Sequence, residues 1–158
     1  MKLETDRLCL QLQSPEEVLA WVESLGPDVR AEISPVWLQR LKATTQPDPW
    51  TCMFSIINKA TNTSVGSCGF KAPPDEFGTV EIAYGIDEPY RGCGYATEAA
   101  AALVDFAVET DGVSTVCAHT KSTTPASERI LQKLGFAFVG IFEDPEDGSV
   151  NRWERTTA

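Results

Sequence analysis

The chain is poor in the residues that most catalytic and binding chemistries require. It has one histidine, His119, and five cysteines (Cys9, Cys52, Cys68, Cys93, Cys117) with no CxxC spacing. That combination supplies no ligand set for a metal hydrolase or a redox centre, so no metal is expected. Lys and Arg total 13 against 23 Asp and Glu, for a net charge of −10. Phosphate backbones demand clustered cations, so nucleic acid is not an expected partner. No apolar run is long enough to cross a bilayer and no signal-peptide core is visible, so the expectation is a soluble cytoplasmic protein away from membranes. Four of the cysteines lie in apolar, strand-like runs and read as buried, reduced thiols. Repeats, linkers and low-complexity tracts are lacking, and 158 residues suit one domain over 1–158.

What is present is concentrated between Glu81 and Thr110, EIAYGIDEPYRGCGYATEAAAALVDFAVET. An apolar strand ends at Asp87-Glu88-Pro89, then Arg91, Gly92, Cys93, Gly94, Tyr95, Ala96 and Thr97 lead into an alanine-rich helix. Glycines let main-chain N–H groups approach an oxyanion, and the first helical turn adds unpaired N–H groups at the positive end of a dipole. A phosphate-bearing ligand is expected there. The loop is not GxxxxGK[ST], and Thr97 stands where a dinucleotide fingerprint needs its third glycine.

The loop does fit Arg/Gln-x-x-Gly-x-Gly/Ala at Arg91, Gly94 and Ala96. Here the chain resembles the GCN5-related N-acetyltransferase family, which seats the acetyl-CoA pyrophosphate on this loop. The run from Ala118 through Ser127-Glu128-Arg129-Ile130-Leu131-Gln132-Lys133-Leu134-Gly135-Phe136 matches the family's fifth strand, fourth helix and entry to the sixth strand. Glu4-Thr5-Asp6-Arg7-Leu8 resembles the opening of the subfamily that includes the ribosomal-protein N-terminal acetyltransferases. Two departures stand out: Thr124 and Pro125 occupy the place of an Asn usual before the serine, and Gln11 that of a first-strand Arg.

Elements read along the chain agree. A strand is expected over Leu3–Leu12, a helix from a Ser14 cap and Pro15 to about Leu25, and a second helical region over Asp28–Thr44 broken at Ser34-Pro35. Strands follow at Trp50–Asn58, Val65–Lys71 and Thr79–Ile86, then a helix over Ala96–Val108 and a strand over Val113–Thr120. A helix capped by Thr124 and closed by Gly135 precedes strands Phe136–Phe142 and Val150–Thr156 around an acidic turn, Glu143–Gly148. The order β-α-α-β-β-β-α-β-α-β-β gives an α/β fold, a mixed, largely antiparallel sheet of about seven strands with helices on both faces, as the resemblance implies. Trp21, Trp37 and Trp50 are read as pocket walls or as core packing.

Acetyl transfer from a thioester to an amine needs a base, oxyanion donors and a proton for the leaving thiolate. Glu81, mid-strand between Val80 and Ile82, is the first base candidate, with burial expected to raise its pKa; a structural ion pair is the competing reading. His119 is the second candidate, or a structural histidine. The resemblance implies that Ser127 lies near the CoA sulfur as acid or pantetheine contact, and that Tyr84, Gly85 and Ile86 offer main-chain N–H groups to the thioester and pantetheine, Gly85 permitting a bulge and close approach. Cys93, between the loop glycines, is read as filler whose N–H matters more than its thiol. The reaction expected is direct transfer from acetyl-CoA, as co-substrate, to a primary amine, a protein N-terminus or a small metabolite. The competing reading is a silent acyl-CoA-binding module. The oligomeric state stays open, a homodimer included.

Overall fold

The computed structural model describes residues 1–121, 125–145 and 147–157. Among these residues eight strands join one sheet in the order β1-β2-β3-β4-β5-β6-β8-β7. They are β1 (Lys2–Glu4), β2 (Leu8–Leu12), β3 (Phe54–Asn58), β4 (Thr63–Phe70), β5 (Thr79–Ile86), β6 (Thr115–Thr120), β7 (Ala137–Asp144) and β8 (Gly148–Thr156). The helices are α1 (Pro15–Ser24), α2 (Pro27–Ala31), α3 (Pro35–Ala43), α4 (Tyr95–Val108) and α5 (Pro125–Lys133), with a 3-10 turn at Glu88–Tyr90. Every pairing is antiparallel except β5 with β6.

Helix ends follow local chemistry. Ser14 accepts from the Glu17 N–H in a capping box, with Pro15 first in the helix. Ser34 caps α3 through the Trp37 N–H. At the end of α5 Gly135 takes φ +85°, and the Phe136 N–H reaches back to the Leu131 carbonyl at 3.0 Å. That closure is the expected glycine one. Thr124, the expected cap of α5, lies outside the described residues.

Two sequence expectations change. The single strand over Leu3–Leu12 is two antiparallel strands that reverse at Thr5–Arg7, which brings the total to eight. Thr5 makes the turn without glycine or proline: its N–H donates to the Leu8 carbonyl at 2.9 Å and its hydroxyl accepts from the Leu8 N–H at 3.0 Å. The strand expected from Trp50 starts only at Phe54, because Trp50 turns inward onto Phe70 and Phe106, with ring centroids 4.8 and 5.6 Å away.

The core forms one cluster. Leu8, Leu10, Phe54 and Ile56 meet Ala99, Ala100, Leu103, Val104 and Ala107 of α4, which packs across β1, β2, β4, β5 and β6. Alternation on β5 directs Val80, Ile82 and Ile86 into the core and leaves Glu81, Ala83 and Gly85 on the opposite face. All five cysteines are free: Cys52, Cys68 and Cys117 are buried, whereas Cys9 is only half-buried and Cys93 is exposed. Burial pushes the three buried thiols up, Cys117 to about 12, as inert filler should be.

Candidate active site

The parallel seam between β5 and β6 is short. Thr79, Val80 and Glu81 pair with Thr115, Val116 and Cys117, and beyond that β5 is paired only with β4. The far half of β5, Ala83 to Ile86, therefore has one main-chain edge turned toward a gap rather than toward β6. Gly66 on β4 makes this approach tight, since a Cβ there would lie 2.2 Å from the Gly85 carbonyl oxygen. The expected bulge at Gly85 is absent, because the β4–β5 register runs unbroken from Gly66–Ile86 to Phe70–Ile82. The open approach at Gly85 is present: a Cβ built there would meet nothing within 4 Å.

At the end of β5 the chain passes through the 3-10 turn to Arg91, whose Nε donates to the Ile86 carbonyl at 2.9 Å. Arg91 thus ties the glycine loop to the strand. Gly92 and Gly94 take φ of +81° and +82°, bracketing Cys93. This left-handed alternation is what turns neighbouring N–H groups toward one ligand. Gly94 is the N-cap of α4 and no side chain caps the helix, so the N–H groups of Tyr95, Ala96 and Thr97 keep their capacity for an oxyanion.

A cavity of about 420 Å³ opens beside the exposed face of β5. Trp21, Trp37 and Met53 wall it, Glu81, Ala83, Tyr84 and Gly85 line the strand side, and Glu32, Asp144 and Asp147 lie at its rim with Lys71. Its volume falls in the range of small-molecule sites. The tryptophans divide: Trp21 and Trp37 are cavity walls, and Trp50 is core packing. Trp37 is fixed by its Nε1–H, which donates to the Thr51 carbonyl at 2.9 Å.

Glu81 anchors a row of charges that runs from Lys71, just past β4, across β5 and β6 to β8. Its Oε2 lies 2.9 Å from Lys71 Nζ and 2.9 Å from His119 Nδ1. Neither contact has the alignment of a hydrogen bond, and this Oε2 is buried without an aligned donor. The Lys71 contact is a charge pairing, and the His119 contact is the approach of a ring nitrogen to the carboxylate. On the far side Arg152 Nη1 lies 3.4 Å from His119 Nε2, and Arg152 Nε donates to Glu154 Oε2 at 2.7 Å. A guanidinium has no acceptor, so the Arg152 contact is a hydrogen bond in the tautomer whose Nε2 lone pair faces it. Burial pushes the Glu81 carboxyl up, but His119 and Lys71 outweigh it and hold the group below its ordinary value of 4.5. The expected upward shift is therefore corrected: two cationic or N–H neighbours win over desolvation. Burial pulls Lys71 down, and Glu81, with Asp147 and Asp144, more than restores it above 10.5.

His119 stands behind Glu81 and outside the cavity lining. Ser127, in the first turn of α5, neighbours the Tyr84 hydroxyl as a hydrogen-bond partner; burial still pushes that phenol up to about 12. Tyr84 stays protonated and a donor at neutral pH. The structure thus brings Glu81, His119, Tyr84 and Gly85 to one stretch of sheet, with Ser127 against Tyr84. Cys93 remains apart, its thiol exposed with no imidazole at hand.

Sequence reasoning did not single out Lys71, Arg152 or the acidic rim. Lys71 opposes Glu81 only through the β4–β5 register, and Arg152 reaches His119 because β8, not β7, lies beside β6. Among the described residues no cluster of three or more His, Cys, Asp or Glu is arranged to hold a metal, and no helix is long and apolar enough to cross a membrane.

Comparison with known proteins places this geometry. The chain is 36% identical over 81 residues to the uncharacterized N-acetyltransferase YjdG of Bacillus subtilis, a match covering 51% of this chain and 48% of that protein. It therefore spans about half the length of that curated relative. Among solved structures, an acetyltransferase of the GNAT family from Bacillus anthracis superposes with a TM-score of 0.72 at 17% identity, covering 99% of each chain. RimL, the ribosomal L7/L12 alpha-N-protein acetyltransferase, solved with coenzyme A, superposes with a TM-score of 0.72 at 18% identity, covering 99% of this chain and 98% of its own. These structural likenesses establish the fold. The acetyltransferase (GNAT) domain model matches residues 2–137, and on that match the chain belongs to the GNAT acetyltransferase family.

Proposed function

We propose that the protein transfers the acetyl group of acetyl-CoA to a primary amine, directly and within a ternary complex. One observation carries this reading: β5 joins an anion seat at its carboxyl end to an acid-lined cavity on its face, with an unpaired main-chain edge between them. The N–H groups at residues 92–97 suit the diphosphate, with Arg91 bracing the loop. The free edge at Tyr84–Ile86 suits the pantetheine amides and the thioester carbonyl, whose oxyanion it would stabilise.

Starting from the ammonium, the nitrogen loses one proton before attack, which passes finally to solvent. It loses a second after it bonds to the acetyl carbon, while the carbon–sulfur bond breaks and the thiolate takes up one proton. Glu81, ionised at neutral pH, draws the ammonium in and receives its proton directly or through water. Ser127, hydrogen-bonded to Tyr84, would with it return a proton to the departing thiolate. No metal enters this scheme. Glu32, Glu81, Asp144 and Asp147 outnumber Lys71 around the cavity, which favours a cationic acceptor. RimL acts on a protein α-amino group; here a protein N-terminus and a small amine both remain candidate acceptors. Five free cysteines fit a reducing, cytoplasmic setting.

A silent acyl-CoA-binding module is the second reading, favoured by the engagement of Glu81 with both Lys71 and His119. Thiol release from acetyl-CoA across a panel of diamines, monoamines, amino acids and N-terminal peptides separates the two. Amine-dependent release with intersecting initial-rate lines is expected. Binding of acetyl-CoA with no release by any amine would favour the silent module, and parallel lines would rule out direct transfer.

A further inference from the structure

The Thr5–Arg7 turn, whose Arg7 lies 91 positions before Glu98, grips the amino-terminal turn of α4. Arg7 donates through its main-chain N–H to Glu98 Oε2 and through Nε to Glu98 Oε1, each at 2.8 Å. The Thr5 hydroxyl donates to the same Oε2. Arg7 Nη1 then donates to the Cys93 carbonyl at 2.9 Å, and its guanidinium lies 4.7 Å over the Tyr95 ring. That ring is itself fixed, since Asn58 Nδ2 donates to the Tyr95 hydroxyl at 3.0 Å. Arg7 Nη2 sits so near Gly94 that a Cβ there would come within 3.3 Å of it. The turn is held from behind by Lys59, whose N–H donates to the Arg7 carbonyl at 3.0 Å and whose Nζ donates to the Thr5 carbonyl.

Two consequences follow for an anion in the loop. With the Cys93 carbonyl held by Arg7, the peptide between the two left-handed glycines has a fixed orientation. Glu98, an acid in the first turn of α4, would otherwise repel a diphosphate, and Arg7 neutralises it. We propose that Arg7 is a positioning residue for the diphosphate seat: it fixes the Cys93–Gly94 peptide and cancels the charge of Glu98. This rests on the assignment of the loop to the CoA diphosphate.

Calorimetry with CoA and with pantetheine, which keeps the thiol arm but lacks the diphosphate, tests it on wild type, Arg7→Gln and Arg7→Lys. Losing the bond to Cys93 and the charge should weaken CoA binding about 10-fold or more in Arg7→Gln. Pantetheine affinity should stay within about twofold of wild type, the scale left when no hydrogen bond to the ligand changes. Arg7→Lys, which keeps the charge but not the planar fork, should fall between and covers the case of an unstable Arg7→Gln. Unchanged CoA affinity, or equal losses for both ligands, would overturn the proposal. A wild type that binds CoA yet transfers no acetyl group would sink the enzyme reading and leave the Arg7 comparison standing.

Discussion

At the scale of single residues, the proposed chemistry rests on Glu81. A carboxylate held below its ordinary value is fully ionised at neutral pH, so the proposal has it attract the ammonium and take its proton directly or through water. The acid limb of kcat/KM should then follow the pKa of each acceptor amine and move from one amine to the next. A limb fixed at one pH for all amines would assign it to an enzyme group instead. Glu81→Gln should lower kcat/KM for the amine about 10²- to 10⁴-fold, the usual contribution of a general base, with CoA affinity preserved in calorimetry. The same pairing shapes stability. Because the folded-state pKa of Glu81 is depressed, its stabilisation is present above 4.5 and is lost as pH falls through the lower folded value. Lys71 is raised, so its share is present below 10.5 and is lost as pH climbs through its higher folded value. Thermal unfolding of Glu81→Gln should accordingly depend less on pH in the acid range than that of wild type.

At the scale of elements, the loop and α4 act as one unit. Gly94 combines a left-handed φ, the N-cap position and close packing on Arg7. Gly94→Ala should cost about 1–2 kcal/mol from the left-handed backbone alone and weaken acetyl-CoA binding more than amine binding. Equal KM values for acetyl-CoA in variant and wild type would count against the loop as the seat. This stretch was readable from sequence: the strand ended at Ile86 as expected, and the helix began one residue before the expected Ala96. Glycine, proline and helical periodicity all act locally there. The split of β1 from β2 was not readable. Leu8, Leu10 and Leu12 keep the period of a strand, and the reversal is made by the hydroxyl of Thr5 rather than by a glycine or proline. The same turn carries Arg7, so the motif was visible while its target, 91 positions away at Glu98, was not.

At the scale of the molecule, the proposed site lies where the sheet stops being continuous. Among the described residues β5 and β6 pair over three positions and then leave the β5 edge unpaired, so one strand serves the core, the cavity and, in the proposed reading, the cofactor. The partners that meet at this seam come from β4, β5, β6, β8 and α5, and only the strand order brings them together. That is why Glu81, His119 and Ser127 could be named from sequence while Lys71 and Arg152 could not: the first three sit in recognisable runs, the others depend on register. Gly85 was named for a bulge, which it does not form, and for a close approach, which its open Cβ position on the exposed face of β5 leaves free. The claim on which all this stands is that the loop over 91–97 holds the diphosphate of CoA. Calorimetric titration of the wild-type chain tests it most directly. One CoA per chain, bound far more tightly than pantetheine, is the result predicted; no heat with CoA, or equal affinity for the two, would contradict it.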